Sequence, residues 1–146
     1  MRPTIAPTLV LAVVTSLLAQ SPILAAGFDG KWQGHMKCLK LAETTGAQEV
    51  PVTMIVKGGE VTMSRSVHNV DNTKVVGTES GTGTIGSDGA IKLSSSWKNP
   101  NPSIQFAFTA TYSGTATGNT ASLSGTEVWT IKGNTENRSC SITLTH

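Results

Sequence analysis

The stretch "FDGKWQGHMKC", residues 28–38, decides the fold of this chain. Its residues alternate strictly: Trp32, Met36 and Cys38 share one parity with two glycines, while lysine, glutamine and histidine occupy the other. A period of two places apolar side chains on one face of a strand and polar side chains on the opposite face. The stretch therefore predicts a half-buried β-strand that carries a cysteine on its buried face.

The end of the chain, "NRSCSITLTH" at residues 137–146, shows the same alternation. Cys140 and Ile142 alternate with serines and threonines, so the second of two cysteines also lies on the apolar face of a strand. A disulfide between Cys38 and Cys140 is the expected outcome if the protein is exported; free thiols or metal ligands are the alternatives. If the cysteines face each other across antiparallel strands, Trp32 faces His146.

Three tight turns set the register of the strands between these two ends. They lie at Gly58-Gly59, at residues 87–89 and at Gly118-Asn119, where glycine tolerates the positive φ that short hairpin loops require. The apolar pairs that these registers predict across the hairpins are Val56 with Val61, Met54 with Met63, Ile85 with Ile91, Phe108 with Trp129 and Phe106 with Ile131. The remaining connections, including "KGNTEN" at residues 132–137, are expected to be longer loops.

These elements add up to eight strands in simple succession, with tight turns at one end and long loops at the other. Alternating strands with one apolar face close well into a barrel, because closure removes the unpaired sheet edges. The expected fold is an all-β, eight-stranded antiparallel up-and-down β-barrel closed by the Cys38–Cys140 disulfide. The outward positions are polar, which is the reverse of an outer-membrane barrel, so we expect a soluble protein without membrane insertion.

Residues 1–26 have the layout of a signal peptide: one early charge, an apolar run from about Leu9 to Ala19, and small residues before position 27. The expected organisation is a signal peptide at 1–26 and a single barrel domain at 27–146, secreted or periplasmic. Loss of Arg2 with the leader lowers the net charge from +2 to about +1. No basic run occurs, which argues against nucleic acid or an anionic membrane surface as the main partner. We expect a monomer.

Gly30-Lys31-Trp32, which opens the first strand, resembles the Gly-x-Trp signature of the calycins, the lipocalin and avidin-like barrels. The resemblance implies that Trp32 plugs the closed end of the barrel and that a basic residue of the last strand lies over it. Here His146 takes that place, because Arg138 falls at the opposite end. The chain also resembles uncharacterised exported bacterial proteins, which implies no function.

Several inward-facing positions break the apolar pattern, and the strand directions place them toward the long-loop end. A buried charge must pair, reach water or meet a ligand, because otherwise its burial is costly. An aromatic-lined mouth with a few polar groups is typical of a small-ligand site. The candidate ligand-binding residues are Arg65, Glu79, Trp97, Phe106, Glu127 and Trp129. The alternatives are that Arg65 and Glu79 are exposed or pair with each other, and that the aromatic residues are plain core.

The sequence favours a binding module that takes a small or amphipathic ligand at the long-loop end. The alternative is a protein-interaction module, such as an envelope enzyme inhibitor or assembly factor, acting through loops Leu39–Glu49 and Lys98–Ser103. No catalytic motif, phosphate loop or Cys-x-x-Cys occurs, and the three histidines share no ligand spacing. We therefore expect no enzyme activity, no metal and no cofactor, although Glu79 and Glu127 would suggest a glycosidase pair if they were close.

Overall fold

The computed structural model describes residues 27–41, 46–69 and 73–146, so the expected signal peptide lies outside the described residues. The described chain forms a closed barrel in which each strand pairs with its neighbours in sequence and β1 pairs with β8. All pairs are antiparallel, which confirms the predicted fold. The strands are β1 Gly30–Cys38, β2 Gln48–Lys57, β3 Glu60–His68, β4 Val75–Ile85, β5 Ala90–Lys98, β6 Phe106–Thr117, β7 Thr120–Ile131 and β8 Asn134–Thr145.

Alternation along each strand places the apolar side chains inside the barrel. In β5 the alternation is unbroken. Ile91, Leu93, Ser95 and Trp97 are buried, and the residues between them are exposed. The same alternation holds in β3, where Val61, Met63 and Val67 are buried. Arg65 occupies the remaining inward position and is a buried charged residue. One hydrophobic cluster built from the inward faces of the strands fills the interior.

The predicted hairpin registers are confirmed. Val56 pairs with Val61 and Met54 with Met63 across the Gly58-Gly59 turn, as predicted from the apolar match. The same holds for the other pairs, namely Ile85 with Ile91, Phe108 with Trp129, and Phe106 with Ile131. The apolar face of each strand thus fixes its register, because a slip by one residue would turn that face toward water.

The seam between β1 and β8 closes the barrel. Cys38 pairs with Cys140 in the register, and the two form a disulfide across a sequence separation of 102 residues. At the tight-turn end, the ring centroids of Trp32 and His146 are 4.9 Å apart, and the indole N–H of Trp32 donates to the Phe28 carbonyl oxygen at 2.9 Å. Trp32 is fully buried at this end of the barrel, in the place that the calycin resemblance implied.

The connection between β7 and β8 differs from its prediction. Instead of a long loop over residues 132–137, a two-residue turn joins the strands, and Ile131 pairs with Asn134. Lys132 and Gly133 both have positive φ, at 49° and 86°, which is the conformation of a two-residue hairpin turn. The prediction was wrong because the polar residues after this turn were assigned to a loop, although they belong to β8.

One close backbone approach requires glycine. A Cβ atom on Gly34 of β1 would overlap the carbonyl oxygen of Thr143 in the neighbouring strand β8. The absence of a side chain lets the two strands coil tightly around the seam.

Candidate functional site

A cluster of four buried ionic side chains lies inside the barrel. Arg65 on β3 pairs in register with Glu79 on β4, and Glu127 on β7 pairs with Arg138 on β8. Both carboxylates are completely buried, and both arginines are 4% exposed. Each ion pair is thus a cross-strand neighbour pair on the inner face of the barrel. We call these four residues the ionic network.

Arg65 connects the two pairs across the interior. Its Nε donates to Glu79 Oε2, and its Nη2 donates to Glu127 Oε1 at 2.6 Å. Arg138 Nε donates to the other oxygen of Glu127 at 2.7 Å. The network holds two positive and two negative side chains, so its formal charge is zero when both carboxylates are ionised.

Neutral side chains complete the hydrogen bonding of the carboxylates. The indole N–H of Trp129 donates to Glu127 Oε2 at 2.7 Å, and the Ser95 hydroxyl donates to Glu79 Oε1. The Tyr112 hydroxyl oxygen lies 3.3 Å from Glu79 Oε1 and 3.4 Å from Glu127 Oε1. A phenol has one proton, so Tyr112 donates to one carboxylate at a time. The shared contact with Tyr112 shows that the two carboxylates lie close together, and both are completely buried.

Aromatic rings cover the guanidinium groups. The Cζ atom of Arg65 lies 5.6 Å from the centroid of the Phe108 ring, and that of Arg138 lies 5.2 Å from the Trp129 ring. Such contacts are favourable for a guanidinium that has lost its water. The network is therefore a buried structure in which the charged groups bind one another, while Arg138 Nη1 has no partner among the described residues.

Burial has a clear effect on two of the titratable groups. It raises the pKa of Glu79 above the ordinary value of 4.5, while the nearby Arg65 acts in the opposite direction. Burial also raises the pKa of the Tyr112 phenol, and the negative charges of Glu79 and Glu127 add to that rise. The phenol thus remains a neutral hydrogen-bond donor throughout the physiological pH range.

The disulfide lies against the network. Cys38 Sγ is 3.6 Å from Glu127 Oε1, and Cys38, Cys140 and Glu127 bring potential ligand atoms within 4.8 Å of one another. Both sulfur atoms are committed to the disulfide, so in this state they are not thiolate ligands. Glu127 is in turn occupied by two guanidinium groups. This group of three residues is consequently unsuited to a metal ion.

A small apolar cavity of about 160 Å³ lies at the long-loop end. It is lined by Leu41, His68, Asn69, Val76, Trp97, Asn99, Ile104, Phe106, Trp129 and Ile131. The ring centroids of Trp97 and Trp129 are 6.0 Å apart. Trp129 belongs to both features, because it lines the cavity and donates its indole N–H to Glu127. We call this feature the mouth cavity.

Two nitrogen atoms of lining residues are buried and unpaired. Among the described residues, neither Trp97 Nε1 nor His68 Nδ1 has a hydrogen-bond partner. A buried polar atom without a partner is unfavourable by roughly 1–3 kcal/mol, so most such atoms in native proteins are satisfied. Two residues that line the largely apolar mouth cavity thus each carry a buried nitrogen atom without a partner among the described residues.

The structure divides the six candidate residues between two features. Arg65, Glu79 and Glu127 belong to the ionic network, where Arg65 and Glu79 pair as one of the sequence alternatives proposed. The other three, Trp97, Phe106 and Trp129, line the mouth cavity. A ligand-binding role for any of the six stays a prediction.

Sequence reasoning did not find several members of the two features. Arg138 is the fourth member of the ionic network, Ser95 and Tyr112 donate hydrogen bonds to its carboxylates, and His68 lines the mouth cavity. The inward parity of Arg138 was visible in the sequence, since it shares the parity of Cys140. Its pairing with Glu127 was hidden because residues 132–137 were taken for a loop, which left the β7–β8 register undefined.

Comparison of the chain with family models, with curated protein sequences and with solved structures finds no match. The eight-stranded up-and-down barrel is consistent with a calycin-like fold. Within the described part of the chain, no helix is long and apolar enough to cross a membrane.

Proposed function

We propose that this barrel is a binding module that takes a small apolar or amphipathic ligand in its mouth cavity. The observation that carries the proposal is the mouth cavity itself, which is largely apolar and aromatic-lined. Two of its lining residues, Trp97 and His68, each carry a buried nitrogen atom with no partner among the described residues. Ligand sites are typically concave and apolar with a few polar groups that fix orientation. The ionic network beneath it serves as a rigid support, because its hydrogen bond to Trp129 holds one wall of the cavity.

The size of the cavity defines the ligand. At about 160 Å³ it is smaller than the roughly 300–1,000 Å³ of sites for drug-sized ligands. An apolar cavity of about 150 Å³ in another protein accommodates benzene. The ligand, or the part of it that enters, is therefore a single aromatic ring or a short aliphatic chain. An oxygen acceptor on that group would satisfy one of the unpaired nitrogen atoms.

The proposal includes an exported, soluble, calycin-like domain at residues 27–146 that acts outside the reducing cytoplasm. The Cys38–Cys140 disulfide supports it, since disulfides persist mainly in oxidising compartments. The outward side chains of the strands, largely lysine, serine and threonine, support solubility.

The test compares phenol with toluene, which have similar shapes but differ in the oxygen acceptor. The chain has three tryptophans, so three indole N–H resonances can be followed by ¹H–¹⁵N NMR during each titration. We expect the Trp97 and Trp129 resonances to shift while that of Trp32, at the far end, stays fixed. Phenol should bind more tightly than toluene, because its oxygen accepts a hydrogen bond.

A matched pair of variants completes the test. Val76→Phe adds a ring to a residue that lines the cavity and should abolish the shifts. Ile55→Phe makes a similar change on the outer wall, where Ile55 is 49% exposed, and should leave them unchanged. Unchanged Trp97 and Trp129 resonances in the wild-type protein, or equal binding by the Val76→Phe variant, would overturn the proposal.

A further inference from the structure

The ladder between β2 and β3 ends before the strands do. Its last pair toward the long-loop end is Thr53 with Ser64. The residues that flank a two-residue turn form a hydrogen-bonded pair, and such pairs recur at every second position of an antiparallel ladder. Counted from the β2–β3 turn, the next such pair would join Pro51 to Ser66. Proline has no backbone N–H, so Pro51 ends the ladder.

The ladder between β4 and β5 ends at the same level of the barrel. Its last pair is Ser80 with Ser96, and Ser80 is also the β4 partner of Ser64. The next hydrogen-bonded pair would join Thr78 to Lys98, and these two described residues are not paired. The β3–β4 hairpin therefore loses both of its neighbouring strands beyond one level.

β3 and β4 themselves stay paired with each other beyond this level, to the ends of both strands. Next to the strand ends, the Asn69 N–H donates to the Lys74 carbonyl oxygen at 2.9 Å, and the Lys74 N–H donates to Asn69 Oδ1 at 2.8 Å. We call residues 66–68 and 75–78 the flap. Within the described chain, the flap is a two-stranded ribbon whose outer edges have no strand partner.

The flap forms one wall of the mouth cavity, because His68 and Val76 line it. A bulge between Val67 and His68 leaves Val76 as the extra residue of β4, and a bulge bends the strand that carries it. A Cβ atom on Gly77 would overlap Trp97 Nε1, so the indole of β5 packs directly on the flap. Neither this nitrogen atom nor His68 Nδ1 has a hydrogen-bond partner among the described residues, so neither ties the flap to β5.

The base of the flap, by contrast, is anchored by the ionic network. Arg65 and Glu79 pair in register directly below the flap. Arg65 Nη2 donates to Glu127 Oε1 at 2.6 Å, and the Ser95 hydroxyl donates to Glu79 Oε1. These contacts join the base to β7 and β5. A segment with a fixed base and few bonds along its edges opens locally at a lower free energy than the rest of a fold.

We infer that the flap opens and closes as a unit on the ionic network, and that its opening admits the ligand to the mouth cavity. Opening moves His68 and Val76 away from the other lining residues, and closing restores the wall. A ligand that contacts these two side chains favours the closed flap, because it binds that state more tightly. The role in ligand entry rests on the proposed function, whereas the opening itself does not.

The first test is amide hydrogen exchange of the disulfide-intact protein, followed by NMR. Val67 and Gly77 are a cross-strand pair of the flap. Trp97 and Phe108 are the matched pair, because they lie at the same end of the barrel and Phe108 is also paired on its other side, with β7. After correction for intrinsic rates, the flap amides should exchange about tenfold faster or more. Equal protection of the two pairs would overturn the inference.

The second test repeats the exchange measurement with phenol at a saturating concentration. Phenol should slow the exchange of Val67 and Gly77 severalfold, because an occupied cavity holds the flap closed. If phenol shifts the Trp97 and Trp129 indole resonances but leaves the flap amides unchanged, the cavity binds its ligand and the flap does not control it. If phenol shifts neither resonance, the proposed function fails, and the exchange rates without phenol still decide whether the flap opens.

A pair of variants tests the cause of the free edge. Pro51→Ala supplies the missing N–H opposite Ser66 and should slow exchange in the flap severalfold. Thr53→Ala changes the same strand without adding a donor and should leave the flap as it is in the wild-type protein. Equal flap exchange in the two variants would overturn the assignment of the free edge to Pro51.

Discussion

Replacement of Glu127 by glutamine is the sharpest perturbation of the ionic network. Glu127 accepts hydrogen bonds from Arg65 Nη2 at 2.6 Å, from Arg138 Nε at 2.7 Å and from the Trp129 indole at 2.7 Å. Glutamine preserves the shape of the side chain but removes its negative charge. With Glu79 ionised, the formal charge of the network rises from zero to +1, and Glu79 remains as the only anion facing two buried guanidinium groups.

The magnitude follows from the burial of the network. Removal of one partner of a buried ion pair destabilises a protein by about 3–5 kcal/mol, because the remaining charge is left uncompensated. The total free energy of unfolding of a domain is about 5–15 kcal/mol, so this loss is a large fraction of it. We expect Glu127→Gln to lower the free energy of unfolding by about 4 kcal/mol and Tm by roughly 10–20 °C.

The assay is urea denaturation of the disulfide-intact protein, followed by tryptophan fluorescence. The matched control is Glu60→Gln, since Glu60 is an exposed residue beside the β2–β3 turn, and it should change stability by less than about 0.5 kcal/mol. The double variant Glu127→Gln/Arg138→Met restores a neutral network. It should be less destabilised than the sum of the single variants, with a coupling energy of about 0.5–3 kcal/mol.

Two results would refute this reasoning. One is a Glu127→Gln variant within about 1 kcal/mol of the wild-type protein, which would mean that the interior tolerates an uncompensated guanidinium. The other is additivity of the two substitutions, which would mean that Glu127 and Arg138 are energetically independent despite their 2.7 Å contact.

Three further predictions concern the Cys38–Cys140 disulfide, the protonation of Glu79, and the close approach of Gly34 to β8. Replacing Cys38 and Cys140 by alanine should lower the free energy of unfolding by about 2–5 kcal/mol, measured by urea denaturation, since the disulfide spans 102 residues. Because the pKa of Glu79 is raised above 4.5, the folded protein binds a proton that the unfolded chain releases. The contribution of Glu79 to the free energy of unfolding should thus be fully present below pH 4.5 and be lost as pH rises through the folded pKa of Glu79. Glu79→Gln should remove this dependence of stability on pH. Gly34→Ala should destabilise the barrel by roughly 1–3 kcal/mol in thermal unfolding, because its Cβ would overlap the Thr143 carbonyl oxygen.

Each of these predictions has a contradicting result. Two reactive thiols in native protein from an oxidising compartment would contradict the disulfide. The free energy of unfolding should depend on pH in the exposed control Glu60→Gln as it does in the wild-type protein. If Glu79→Gln shows the same pH dependence, a group other than Glu79 is responsible for it. Gly46→Ala is the control for Gly34→Ala, because a Cβ atom on Gly46 would meet nothing within 4 Å among the described residues beyond its chain neighbours. Equal effects of the two substitutions would contradict the close approach.

The sequence predicted the seam between β1 and β8 better than the interior of the barrel. Alternation placed Trp32 and Cys38 on one face, and the register of the cysteines correctly brought Trp32 against His146. In the interior, alternation identified Arg65 and Glu79 as inward and charged, but parity alone does not distinguish a paired charge from a ligand site. That distinction depends on which strands are neighbours and on the distances between side chains across the barrel.

By itself, the sequence determined most of the strand pattern and the registers of three hairpins, because period-two alternation and glycine turns act between neighbouring residues or neighbouring strands. It also determined the disulfide, because the chain has two cysteines and both lie on the apolar face of a strand. Only the tertiary structure decided that Arg65 reaches across the barrel to Glu127, and that Leu41, His68 and Trp129 line one cavity. These relations join strands and loops that are distant in sequence. They arise from closure of the sheet, which fixes positions in three dimensions that no local pattern specifies.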